Sequence, residues 1–85
     1  MSMLNEILEK YGDEEFLKCD GFDDAIIGVD ENEYRLIYSK KHIIEILLDE
    51  EMTYEDALEH YNYNILDCYM GEKTPIFCDD EFEVQ

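Results

Sequence analysis

The chain has 85 residues, with 24 acidic and 6 basic side chains and a formal net charge of −18. This length suits one domain, which buries only about 60% of the surface its unfolded chain exposes; a hydrophobic content of 46%, with seven Tyr and four Phe, supplies a core and argues against global disorder. The charge argues against direct nucleic-acid binding through a basic patch and against docking on an anionic membrane, and its self-repulsion opposes any compact state, so its retention needs a reason.

In chain order, residues 2–11 predict a short helix. Ser2 is placed to cap it, and Leu4, Ile7, Leu8 and Tyr11 follow i, i+3, i+4, i+7 spacing. Gly12 ends it. The acidic connection DEEFLKCDGFDD follows, with Phe16, Leu17 and Phe22 as anchors and a second helical turn near 13–18. Residues 24–30 (DAIIGVD) and 34–39 (YRLIYS) predict two strands of a hairpin. The link DENE is short and polar, and Asn32 tolerates a left-handed conformation. Gly28, inside the first strand, marks a bulge or a close backbone approach.

Ser39 is placed to cap a helix over 40–50, whose Ile43, Ile44, Ile46, Leu47 and Leu48 give a wide apolar face. Lys40 and Lys41 fall in its first turn, where the macrodipole prefers acids; they read as relief of surrounding carboxylates. Thr53 with Asp56 resembles a capping box and opens a helix over 54–69, with Tyr54, Ala57, Leu58, Tyr61, Ile65, Cys68 and Tyr69 on one stripe. Gly71 is placed for its C′ cap, with Pro75 beyond. Residues 74–79 predict a third strand that starts at Pro75 or lies at an edge. The tail DEFEVQ carries no pattern that places it. The whole chain, 1–85, reads as a single acidic α+β domain in the order α-β-β-α-α-β, with a three-stranded, mostly antiparallel sheet covered by helices.

Cys19, Cys68 and Cys78 are odd in number and form no CxxC, which fits thiols in a reducing cytoplasm. The N-terminus has no basic region followed by an apolar run, and no stretch approaches a membrane span. A cytoplasmic protein is the expectation.

Chemistry finds little purchase. His42 and His60 have no sequence signature with Ser39, Cys68 or Cys78 that suggests a nucleophile and base. DGFDD (20–24) and CDDEFE (78–83) are rich in oxygen ligands but match no calcium loop, and the Cys and His spacing matches no zinc site. The four Gly are isolated, so no phosphate loop exists. No catalytic residue, metal or cofactor is expected.

The acids remain. Glu51, Glu55 and Glu59 recur every four residues, flanked by Asp56; on a helix such neighbours lie about 5–6 Å apart at Cβ. Phosphates along a nucleic-acid strand are spaced on the same order. Carboxylates on a stiff element can therefore occupy the basic groove of a nucleic-acid-binding protein. Asp30, Glu31 and Glu33 at the hairpin tip form a second candidate patch, and Tyr63, off the apolar stripe, is a candidate contact anchor. The alternatives are a solvated acidic face that confers solubility, and a structural or interaction module, homo-oligomeric or not, that binds through apolar and tyrosine surface.

DDAIIGVD (23–30), RLIYS (35–39), MTYEDALEHYNYNI (52–65) and GEKTPIF (71–77) resemble a recurrent group of small proteins encoded by bacteriophages and mobile elements. The resemblance spans most of residues 22–78 and carries no catalytic residue. It implies a phage-type accessory protein acting in a bacterial cytoplasm. Small acidic phage proteins include inhibitors of restriction and CRISPR effectors, some of which imitate DNA. By that analogy of class, the expected partner is a basic nucleic-acid-binding host protein.

Overall fold

A computed structural model describes residues 3–66 and 71–82. They form a single small α+β domain of three α-helices and a three-stranded sheet, in the expected order. Helix α1 (Met3–Lys10) buries Leu4 and Ile7, whereas Leu8 is exposed. The cap expected from Ser2 lies outside the described residues. No second turn forms over 13–18: the chain bends after a Glu14 N–H bond to the Tyr11 carbonyl, then runs irregularly. Three consecutive acids after the C-terminal end of α1 oppose its macrodipole, which disfavours continuing the helix. Phe16 and Phe22 pack on the core as anchors; Leu17 does not. A 3-10 turn (Asp23–Ala25) occupies the expected start of the first strand.

Strands β1 (Ile26–Val29) and β2 (Leu36–Ser39) pair antiparallel. Ile26 faces Tyr38 and Val29 faces Leu36, so partners two residues apart on β2 meet residues three apart on β1. A regular strand puts alternate residues on one face, so this register requires one extra residue. The shift falls between Ile26 and Gly28, where the glycine predicted a bulge, and the extra Ile27 is exposed.

The hairpin loop closes through Tyr34 N–H to the Asp30 carbonyl and Asp30 N–H to the Arg35 carbonyl, both 2.8 Å. The left-handed residue is Tyr34, at φ +55°, and not Asn32. Such a conformation is rare for a bulky side chain. Long-range contacts hold it: the Tyr34 ring lies 5.6 Å from that of Tyr11, and the Lys73 ammonium lies over the Tyr34 ring, 5.6 Å from its centroid.

Helix α2 (Lys40–Asp49) starts as predicted, with the Ser39 hydroxyl accepting from His42 N–H at 3.0 Å. It buries Ile43, Ile44 and Leu47, half-buries Ile46 and leaves Leu48 exposed. Its end is a Schellman turn: Met52 N–H reaches the Leu47 carbonyl and Glu51 N–H reaches that of Leu48. The left-handed C′ residue, usually Gly, is Glu51 at φ +70°.

Helix α3 (Tyr54–His60) is capped by Thr53, which accepts from Asp56 N–H. The predicted long helix changes character here. Residues Tyr61–Ile65 form a π turn, closed by Leu66 N–H to the Tyr61 carbonyl at 2.8 Å. Buried Ala57, Tyr61 and Ile65 explain it. A four-residue step overshoots one α-helical turn and falls short of a π turn, so alternating the two keeps all three against the core. Of the expected stripe, Ala57, Tyr61 and Ile65 are buried and Leu58 half-buried, Tyr54 is 49% exposed, and Cys68 and Tyr69 lie outside the described residues. Gly71 takes φ +102°, and its carbonyl accepts from both the Thr74 N–H and hydroxyl.

Strand β3 (Ile76–Cys78) follows Pro75 and lies at the sheet edge, as expected, but runs parallel to β2. The sheet is thus mixed rather than mostly antiparallel. Residues 40–75 separate β2 from β3, long enough for the crossover that a parallel pair needs. Helix α1 packs on β1 and α2 on β2. Fully buried Tyr38 centres the core. Its ring stacks on Phe77 at 5.7 Å, and Phe77 meets the Tyr61 ring edge-on at 6.1 Å. The Tyr38 hydroxyl accepts from Cys19 N–H at 2.8 Å, tying the irregular 13–22 segment to the sheet. Burial pushes that hydroxyl's pKa up to about 12.

Tyr38→Phe keeps the ring and removes the acceptor for Cys19 N–H. It is expected to lower stability by ~1–3 kcal/mol in urea unfolding, with proteolytic nicking of the 13–22 segment rising faster than global unfolding.

Candidate functional site

The six cations are not spread evenly. Lys18 pairs with Asp23 at 3.2 Å, Lys40 with Glu81 at 3.6 Å and Lys73 with Glu14 at 3.4 Å. Arg35 Nε stands 3.3 Å from Glu33, off the hydrogen-bond line, and its Nη1 donates to the Thr74 carbonyl. Lys10 and Lys40 also lie over the Tyr11 and Tyr61 rings. Between Lys41 and Lys73 the sequence holds no Lys or Arg. Asp49, Glu50, Glu51, Glu55, Asp56 and Glu59 form no ion pair among the described residues.

The expected patch divides. Glu55, Asp56 and Glu59 are exposed on α3, and Tyr63, 74% exposed, follows in the π turn. One shallow depression is lined by Asp56, Glu59, His60, Tyr63 and Asn64, and a neighbouring one by Glu55, Leu58, Glu59, Asn62 and Tyr63. Glu59 and Tyr63 belong to both, so acids and aromatic share one surface. Glu51 does not extend the helical row. It lies before the Thr53 cap, in the left-handed turn that ends α2. Glu55 and Asp56 sit in the first turn of α3, where the macrodipole favours acids. Asp49, Glu50 and Glu51 crowd the C-terminal end of α2, where it disfavours them.

The hairpin tip is of mixed charge. The Asp30 carboxylate accepts from Asn32 N–H and Glu33 N–H, closing the turn. Glu33 faces Arg35, and Lys73 donates to the Glu33 carbonyl at 3.2 Å. Glu31 is exposed.

Two clusters were not legible in the sequence. The first is at the start of α2. Buried Ser39 donates to Asp80 Oδ2 at 2.6 Å, Lys41 N–H donates to Asp80 Oδ1 at 2.9 Å, and His42 Nδ1 lies 2.9 Å from the Ser39 hydroxyl. Ser39 has one proton, and the short bond assigns it to Asp80; His42 Nδ1 then carries its own and donates. Ser39 is the middle member and is shut from solvent. In a serine hydrolase the imidazole is the middle member and takes the serine proton. This arrangement is a double helix cap. Glu81 completes it, pairing with Lys40 and accepting from the Tyr54 hydroxyl at 3.4 Å. The sequence signal was the pair of lysines in the first turn, which called for carboxylates without naming which. The second cluster is a depression whose lining includes His60, Cys19, Phe22 and Ile65. The Asn64 amide lies 3.3 Å from His60 Nδ1 and donates to it, leaving the ring proton on Nε2.

Among the described residues no group of three His, Cys, Asp or Glu is arranged to hold a metal ion, DGFDD and the described part of CDDEFE included. No described helix is long and apolar enough to cross a membrane. No protein-family model, curated protein or solved structure matches the chain.

Burial raises the Asp80 pKa, but the bonds from Ser39 and Lys41 N–H outweigh it and hold the carboxyl below its usual range. A depressed folded pKa contributes stability above the unfolded value of about 3.9 and loses it as pH falls through the folded one. Asp80→Ala is expected to cost ~1–3 kcal/mol at pH 7. The difference between the two proteins in denaturant melts should shrink progressively below about pH 4.

Proposed function

We propose that the chain is a non-enzymatic, phage-type inhibitor that occupies the basic groove of a bacterial nucleic-acid-binding protein, acting in the cytoplasm as an acidic nucleic-acid mimic. The observation that carries this reading is the set of acids with no ion pair among the described residues, first at the end of α2 and again on α3. It is maintained against two local penalties. Three acids face the negative end of the α2 macrodipole, and Glu51 occupies a left-handed position that favours Gly. Every ion pair among the described residues lies elsewhere. A coat that served solubility alone has no need of acids at these costly positions. A basic partner that gains from them supplies one.

The contact residues in this reading are Glu51, Glu55, Asp56 and Glu59, with Tyr63 as anchor. Asp30, Glu31 and Glu33 form a lesser patch, because Asp30 and Glu33 are engaged within the hairpin. The second reading, an interaction module that binds through apolar and tyrosine surface, draws on exposed Tyr54, Tyr63, Leu66 and Phe82.

Salt separates the two. Protein captured from bacterial lysate at low salt should be released by added DNA or RNA, and capture should fall steeply as ionic strength rises. Replacing Glu55, Asp56 and Glu59 together by Gln should weaken capture at least about tenfold. Capture that survives ~0.5 M salt and resists nucleic-acid competition would favour the apolar module. Glu51→Gly tests the strain separately: it should raise stability by ~0.5–1 kcal/mol in thermal or urea melts while weakening capture.

A further inference from the structure

We infer that the face built from Glu55, Glu59 and Tyr63 imitates a short single strand, so that the groove it fills is one made for single-stranded nucleic acid and not for a duplex. This rests on the mimic reading above and narrows the partner's chemistry.

The first reason is the shape of the charge. At 1.5 Å of rise per residue, Glu55 and Glu59 are displaced by about 6 Å along α3, and Tyr63 follows about as far again. Among the described residues helix and π turn together end at Ile65, so the row along them is one short ridge. A duplex presents two phosphate ridges flanking a groove; one ridge this short matches a few nucleotides of one strand.

The second reason is the aromatic ring. Tyr63 is 74% exposed, beside Glu59 in both depressions. In a duplex the bases are stacked and show only their edges, so a duplex reader has no use for a bare π face. Grooves for single strands combine a basic track with aromatic platforms on which unstacked bases lie. A carboxylate row that runs into an exposed ring offers both halves of that pattern.

The third reason lies in the flanks. Asn62 and Asn64 are both exposed on either side of Tyr63. The Asn62 amide and the carbonyl oxygen of Asn64, whose amino group donates to His60, give donors and acceptors beside the ring, as a base edge does. The π turn sets this up: it keeps Tyr61 and Ile65 in the core while the three residues between them stay exposed.

Two displacement assays read by fluorescence anisotropy test the inference with defined probes. One uses a labelled oligothymidine on a bacterial OB-fold single-strand-binding protein. The other uses a labelled duplex on a histone-like duplex-binding protein. The full chain should displace the single strand at a concentration at least about tenfold lower than the duplex. Tyr63→Ala should weaken that displacement about tenfold or more, and Tyr63→Trp should retain it. An unchanged circular-dichroism melt, expected for so exposed a side chain, shows that both variants fold. Displacement of the duplex as well as or better than the strand, or an unweakened Tyr63→Ala, overturns the inference and leaves the mimic reading standing. Displacement of neither probe overturns both. Loss of self-association in Tyr63→Ala, measured by sedimentation, also overturns the inference, since the ring would then serve a contact between copies.

Discussion

Electrostatic self-repulsion is the constraint around which this molecule is built. With 24 acids and 6 bases, cations are too few to neutralise the surface, so their placement decides which parts can close. Three of the six join chain segments distant in sequence. Lys73 bridges Glu14 and the hairpin carbonyls, Arg35 reaches the Thr74 carbonyl, and Lys40 holds Glu81 beside the Tyr61 ring. Each joins a late segment to an earlier element. Exposed ion pairs are individually weak; here they also remove like-charge repulsion at contacts that would otherwise bring acids together.

The same logic orients α2 against its own dipole. Its first turn carries Lys40 and Lys41, and its last turn leads into Asp49, Glu50 and Glu51. At the start the inversion is useful, because Asp80 enters as the missing anion and caps Ser39, Lys41 N–H and the helix end together. A lone carboxylate in that position would already be favoured by the dipole; two lysines make the start of α2 a strong attractor for the acidic tail. At the far end nothing comparable arrives among the described residues. The two ends of this one helix therefore differ: carboxylates meet lysines at its start, and three acids without an ion pair among the described residues stand at its end.

How much of this could be read from the sequence follows from the range of each interaction. Ser39 and Thr53 were legible as caps because their partners, His42 N–H and Asp56 N–H, lie three residues on. Gly28 marked its bulge because a missing Cβ is a local fact. Tyr34 was missed as the left-handed residue because what holds it, Tyr11 and Lys73, lies at the two ends of the chain. The parallel pairing of β3 and the docking of Asp80 failed to show for the same reason. The π turn falls between these cases. Its burial pattern, Ala57, Tyr61 and Ile65, was visible as a stripe, but an uninterrupted helix satisfies such a stripe almost as well. Glu51 illustrates the opposite error: its four-residue spacing to Glu55 looked helical, and the chain turns between them.

The site and the fold meet at Tyr61. Burial, together with Asp79, Asp80 and Glu81, pushes its hydroxyl pKa up to about 12. Its ring packs on Phe77 and lies under the Lys40 ammonium, so it fixes the first residue of the π turn to the sheet. Ile65 fixes the last. Between these two anchors the wide turn has only Asn62, Tyr63 and Asn64 to place, and with both ends buried it can expose all three. Tyr63 is therefore not exposed by being left over. A core tyrosine two residues earlier holds the turn that presents it, next to acids that the rest of the molecule leaves unneutralised.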